Sequence, residues 1–447
     1  MNLVTTSYIE ECGRNRELRE AVRRSTYPPM YAECYQHLLL DRPLFVEDAA
    51  VRRFADDLSA VFRMLVSLPT RLFDGDLDRY CAAVGIADPL KDLMTRGDDI
   101  GAPPLFGRSD AYFDGKDFKL LEFNIGTELG GMDFAEMNHA LLEVPAFARF
   151  AEEHRLTYVD TANVVAGVLH EVARRVTDAD RPVVVLLETT GGIAAHHNFL
   201  SVQEAMIARG LDFRLGEVQN LGVAHGKLTI DGTPIDVALR FFAAGEILEA
   251  AGGPGLLDPI LRAHDQLKTV LFTGLGSSLY NTKGGLAHLT NDRFRDAFTP
   301  AERVIIDRVV PWTRMLNSSA DPDLIDYCRA HRAELFIKPS VGWGAAGAVR
   351  GSETTDQTWS EVLTNRTDGG YVVQRVVTPA LEPVWDPDEP EPQGWAANWG
   401  VFVTPHGYAG SFVRALKPAD GTIVTFGNKG TRGTGVFAFE SIQQTPR

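Results

Sequence analysis

The chain has 447 residues, 45% hydrophobic and 23% charged, ordinary globular values that allow two or three domains with sizeable cores. Its 60 acidic against 44 basic residues give a net charge of −16, which argues against a nucleic-acid partner, since phosphate binding needs a basic patch. Four cysteines (Cys12, Cys34, Cys81, Cys328) stand far apart without a C-x-x-C pair, so neither a zinc site nor a disulfide framework is expected and a reducing compartment is the default.

The N-terminus, MNLVTTSYIEECGRNREL, carries acids where a signal peptide needs a basic start and an apolar core. No run of 18 apolar residues occurs, so no membrane span and a cytoplasmic location are expected. Residues 1–98 read as helical scaffold. LSAVFRMLVSLPTRLF has apolar residues at helical spacing, with Pro69 helping to end that helix.

Next comes GRSDAYFDGKDFKLLEFNIG, in which Arg108-x-Asp110 precedes Glu122-x-Asn124. The Asp114-Gly115 turn signal and the apolar run Lys119 to Phe123 predict a hairpin within 105–125. Residues two apart share a strand face, so each pair points one way. If the two faces coincide, two carboxylates and an amide oxygen converge beside a guanidinium. Such hard oxygen ligands suit Mg²⁺. A loop, Thr127 to Gly131, follows; then a helix from about Asp133, its N-cap, to Glu153, and another from Tyr158 to Val176.

At Pro182 the continuous apolar run to Leu187 predicts a buried parallel strand. The loop Glu188 to Asn198, a helix to Arg209 and the strand DFRLGEV complete a small Rossmann-like unit. Ligands in such sheets bind at the carboxyl ends of strands, which singles out the whole loop Glu188 to Asn198, with Thr189 and His196 in it; His196 and His197 are either ligand contacts or polar residues at the helix entry. A hairpin turning at Asp231-Gly232 leads to a strand ending at Arg240. Further on, Lys283 heads a short helix, and Thr299 to Glu302 forms a capping box with Pro300 at the first helical position. Another helix runs from Asp323 to Arg332, and then come strands: LFIKPS, GAVRG, YVVQRVV, NWGVFV, GSFVRAL and TIVTFG. LEPVWDPDEPEPQGW, dense in proline and acid, reads as a mobile loop.

Gly342, Gly344 and Gly347 match G-x-G-x-x-G. A dinucleotide fingerprint must open a helix, whereas AVRGSE reads as strand or turn. With Lys338 just ahead, the loop is expected to cover phosphates through backbone N–H groups. YVVQRVV can offer backbone groups to a base, with Gln374 as a polar neighbour; Arg414 adds charge to a strand end.

In this order the motifs resemble the ATP-grasp superfamily of carboxylate–amine ligases, and within it the permuted branch with the synthetase domain of glutathionylspermidine synthase. The resemblance spans roughly 100–440. It implies an α/β (α+β) ATP-grasp fold with a helical N-terminal part and a small Rossmann-like domain, divided as 1–178 with the hairpin, 179–265 and 266–447. It implies ATP and Mg²⁺, held by Lys283, Lys338, Gly342, Gly344, Gly347 and Gln374 for the nucleotide and by Asp110, Glu122 and Asn124 for the metal. Arg108 and Arg414 would be catalytic, and Thr127, Gly130, Thr189 and His196 would face the substrates. The reaction implied is phosphoryl transfer to a carboxylate, giving an acyl phosphate that an amine attacks. The chain departs from that branch where the glycine loop carries Trp343 and alanines in place of R-E-G, and where no aspartate stands two residues after Asn124. Another amino acid or small acid is therefore expected as substrate. A carrier-protein thiol as acceptor, a non-catalytic ATP-binding role and a homo-oligomeric state stay open.

Overall fold

A computed structural model describes residues 2–440, apart from 98, 128, 318–321, 343–345 and 368–369. The expected α+β architecture holds and is built on three main sheets. The largest runs Leu44–Glu47, Arg432–Phe439, Gly407–Leu416, Gln393–Thr404, Gly107–Phe113, Phe118–Ile125, with Leu381–Val384 also on Gln393–Thr404. The expected hairpin is thus present, and it pairs with strands nearly 300 positions later, Asn398 opposite Tyr112 and Phe402 opposite Arg108. The sheet therefore joins the first and third of the regions read from the sequence.

Each face of this sheet has its own work. On one side the long helix Asp48–Phe73 lays down Val51, Phe54, Leu58, Val61 and Leu65, an i, i+3/i+4 stripe. They pack on Ala111, Leu120, Phe123, Trp399, Val401 and Val413. Pro69 does not end this helix, which continues to Phe73 and closes at Asp74 in the left-handed region, φ 57°. A proline so near the end removes little helical hydrogen bonding, and its carbonyl accepts the cap N–H.

A four-stranded parallel sheet has the order Val270–Phe272, Val237–Arg240, Val183–Glu188, Asp212–Glu217. The run at 183–188 is its buried centre, as expected. The sheet extends past 265, because Val270-Leu271-Phe272 pairs parallel with Val237-Ala238-Leu239. A four-stranded sheet with antiparallel pairings comprises Thr313–Leu316, Tyr371–Arg375, Leu335–Pro339 and Val349–Arg350. The Asp231-Gly232 turn and the Thr299/Pro300/Glu302 capping box form as read. Among the described residues no helix is long and apolar enough to cross a membrane.

Three other expectations are corrected. Asp133 is not an N-cap: it lies in the 3-10 turn Met132–Phe134, its buried carboxyl accepts Ser201 Oγ–H at 2.6 Å, and the helices are Ala135–Leu142 and Pro145–Glu153. TIVTFG is not a strand. Thr422, Val424 and Phe426 turn toward a cleft, and Arg432–Phe439 takes the place in the sheet. In the proline-rich loop, Leu381–Val384 pairs with Gln393–Ala396, so the unpaired part is only residues 385–392.

Candidate functional site

The chemistry-bearing face of the large sheet follows from its register. Arg108 lies opposite Asn124, and Asp110 opposite Glu122. Asn398 lies opposite both Tyr112 and Arg414. Directly opposed residues share a face, so these side chains all project the same way. A β-bulge makes this possible: Ala111 pairs with Leu120 and Asp110 with Glu122, leaving Leu121 unpaired. Regular alternation would put Leu120 on the Glu122 face; the extra residue sends Leu120 to the core and Glu122 outward. At the centre of the face stands Gly400. A Cβ there would lie 2.5 Å from the Phe412 ring and 3.2 Å from Arg108 Cδ, so only glycine leaves room for both side chains.

These groups line a cleft of about 620 Å³. Asp110 Oδ1 is 2.7 Å from Arg414 Nη2 and 3.3 Å from Arg108 Nη2. Burial pushes the Asp110 carboxyl up, but Arg414 and Arg108 outweigh it and hold it below its ordinary value. Arg108 also donates from Nη1 to Gly130 O at 2.7 Å, tying the loop after Asn124 to the site. Both guanidiniums lie near the Phe412 ring, at 5.6 and 5.8 Å.

The opposite wall comes from the smaller antiparallel sheet. Phe336 pairs with both Gln374 and Arg350, and Lys338 is two residues along the same strand face. Lys338 Nζ donates to Gln374 Oε1 at 2.8 Å, and Gln374 Nε2 donates to Thr313 Oγ1 at 3.2 Å. Burial lowers the Lys338 pKa to about 8, although Glu122 pulls the other way. Between the walls, Lys283 opens the helix Lys283–Leu289. Its N–H bonds Ser340 O at 2.9 Å, and its ammonium donates to Glu122 Oε1 and Gly342 O, both at 2.8 Å. The glycine loop links two antiparallel strands, Leu335–Pro339 and Val349–Arg350, and opens no helix, as expected. Gly342 needs its φ of 139°.

One cleft therefore gathers Arg108, Asp110, Glu122, Asn124, Gly130, His196, Lys283, Lys338, Gly342, Gln374 and Arg414 from the residues read as functional. Thr127 is buried beside it; its hydroxyl donates to Phe241 O at 2.6 Å, and it borders a small adjoining cavity with Glu122, Asn124 and Gly342. Gly347 and Thr189 do not line the cleft: Gly347 O accepts from Arg366, and Thr189 N–H donates to the Glu188 carboxyl. Gly344 lies outside the described residues. Glu188, at the head of the loop read as ligand-facing, also lines the cleft; sequence reading missed Asn398, whose Oδ1 takes the Ala111 N–H at 3.1 Å, and Arg350 and Glu246, which line it too.

Neither a protein-family model nor a curated protein sequence matches the chain. Solved structures do. A glutathione synthetase like-effector from Globodera pallida, in its apo form, is 11% identical over 90% of each chain, with a TM-score of 0.54. A protein assigned as a gamma-glutamylcysteine synthetase from Methylobacillus flagellatus KT is 15% identical over 87% of this chain and 90% of that one, with a TM-score of 0.41. D-alanyl-alanine synthetase A from Vibrio cholerae is 13% identical over 49% and 67%, with a TM-score of 0.27. The first of these likenesses supports the ATP-grasp fold read from the motifs.

Proposed function

We propose that the protein is an ATP-dependent ligase, ADP-forming, that joins a carboxylate to an amine through an acyl phosphate, acting on an amino acid or small acid. The observation carrying this reading is the meeting, in one cleft, of two lysines and two arginines with the acid-bearing face of the hairpin. ATP supplies the phosphoryl group that activates the carboxylate. Lys283, Lys338 and Arg350, which line the cleft, would neutralise its phosphates, and Val376 and Val377 border the same cleft.

The donor set fits Mg²⁺: Asp110, Glu122 and Asn124 offer hard oxygens on a single face. Both carboxylates are now balanced by cations, Asp110 by the two arginines and Glu122 by Lys283. Arg108 and Arg414 present guanidinium forks, whose geometry matches a substrate carboxylate or a phosphoryl group. Charge stabilisation of this kind, fixed before reaction, is the main contribution a protein makes to phosphoryl transfer. The walls of the cleft serve to bring the carboxylate to the phosphoryl donor and keep water out.

Measuring ADP release from purified protein, ATP and Mg²⁺ with a pool of amino acids and small acids, with and without amines, tests the reading. Amine-dependent release supports it. Release that needs a carrier-protein thiol, or no release at all, overturns it.

A further inference from the structure

The cleft is electrically lopsided. Six cations, Arg108, Lys283, Lys338, Arg350, Arg375 and Arg414, line it from the two walls and between them, against Asp110 and Glu122. At the carboxyl edge of the parallel sheet it is lined by Glu188 and Glu246.

Glu188 closes the central strand Val183–Glu188 and is only 4% exposed. Among the described residues its carboxyl takes one hydrogen bond, from the neighbouring Thr189 N–H to Oε2 at 3.2 Å, and Oε1 has no partner. Gly192 makes room for it: a Cβ there would lie 2.9 Å from Glu188 Cβ and 3.0 Å from Oε2. Backbone bonds fix its place beside the catalytic face. Phe241 N–H donates to Leu187 O at 3.0 Å, and Phe241 O accepts from Thr127, three residues after Asn124. A buried carboxylate with an open oxygen is costly unless a cation or donor meets it.

We propose that Glu188, supported by Glu246, is the seat of an ammonium group of the acceptor substrate. The name "acceptor" rests on the ligase reading; the ammonium site does not. An anionic seat also disfavours the acidic surface of a carrier protein and favours a small amine. The titratable groups around Glu188 are Glu246 from the helix Ala244–Glu249, Glu217 at the end of the adjacent strand, and His196 in the following loop. Burial first, then Glu246 and Glu217, push the Glu188 carboxyl up to about 7. Glu188 itself is therefore mostly anionic above pH 7 and mostly neutral below it.

The test uses three isosteres, n-butylammonium, 1-butanol and butyrate, titrated by ligand-observed NMR at pH 6 and pH 8 without nucleotide. Butylammonium is expected to bind at least tenfold more tightly than butanol at pH 8, and to lose roughly tenfold on going to pH 6 as the carboxylate is protonated. Butyrate should not bind. Glu188→Gln should remove both the charge preference and the pH dependence, with circular dichroism and a cooperative melt confirming its fold. If that variant does not fold, the wild-type charge and pH series decides. Equal binding of alcohol and ammonium, pH-independent binding, or a preference that survives in both Glu188→Gln and Glu246→Gln overturns the proposal. Because no ADP is measured, a failed ligase assay leaves this result standing, and the reverse.

Discussion

Replacing Lys338 by methionine removes a charge and nearly keeps the volume, and the structure gives its two effects opposite signs. Burial holds the Lys338 ammonium at about 8 against an ordinary 10.5. That displacement corresponds to at most about 3 kcal/mol of stability lost at neutral pH. Between pH 8 and 10.5 the unfolded chain binds more protons than the native protein, so wild-type stability should rise through that window, and the rise should vanish in the variant. The hydrogen bond to Gln374 returns roughly 1.5 kcal/mol, so Lys338→Met should be more stable than the parent by roughly 1–2 kcal/mol at pH 7. Toward a triphosphate the sign reverses. An ammonium near 4 Å from a phosphate charge, at an effective dielectric of 20, is worth about 4 kcal/mol; sharing with Lys283 and water lowers this to roughly 2–3 kcal/mol. Affinity for a non-hydrolysable ATP analogue should fall roughly 30- to 150-fold. Thermal melts from pH 6 to 10 and titration calorimetry read both effects. A variant that is less stable at pH 7 with unchanged nucleotide affinity would refute the reasoning, as would tight NAD binding with no response to ATP.

Glu122→Ala should leave a folded protein without turnover at any Mg²⁺ concentration; a near-normal rate at limiting Mg²⁺ would sink its assignment as a ligand. Gly400→Ala should push Phe412 and Arg108 apart, costing about 1–3 kcal/mol of stability and lowering kcat more than ATP affinity, as steady-state kinetics and a melt would show. Arg240→Met should unfold the protein at markedly lower denaturant. It removes bonds to Thr273 O, Thr273 Oγ1, Gly274 O, Phe242 O and Ser277 Oγ in a site 1% exposed, a loss on the order of 3 kcal/mol or more.

What the sequence revealed and what it hid divide by range. The hairpin, the parallel strand at 183–188, the capping box at Thr299 and the antiparallel setting of the glycine loop all rest on neighbours within a few residues, where turn residues and periodicity speak directly. The bulge at Leu121 goes unread in the sequence, where the hairpin reads as unbroken alternation; the structure shows the phase break, with Phe118 and Leu120 in the core and Phe123 and Ile125 there too. Hidden were features decided by distant partners. TIVTFG has strand composition, yet Arg432–Phe439 wins the sheet position because it satisfies both Gly407–Leu416 and Leu44–Glu47. Thr127 reads as a substrate contact until Phe241 O is seen to take its hydroxyl. Asn398 and Glu246 carry no local signal at all, since their importance comes only from what the fold sets across from them.

The insertion of the Gly107–Phe113 hairpin beside Gln393–Thr404 has a consequence for biosynthesis. About 270 residues separate Ile125 from Gln393, roughly 15–50 s of translation at 5–20 residues per second. Throughout that interval the emerging chain carries Arg108, Asp110, Glu122 and Asn124 on a two-stranded ribbon whose edge lacks its neighbour, an arrangement marginal in water. The parallel seat for Leu44–Glu47 arrives later still, with Arg432–Phe439. A ribosome stalled after the parallel sheet would expose a folded α/β module with the acid-bearing ribbon unclosed, prone to recruit a strand from another nascent chain. The last sixty residues act, in effect, as the clasp that makes the first hundred and twenty-five competent.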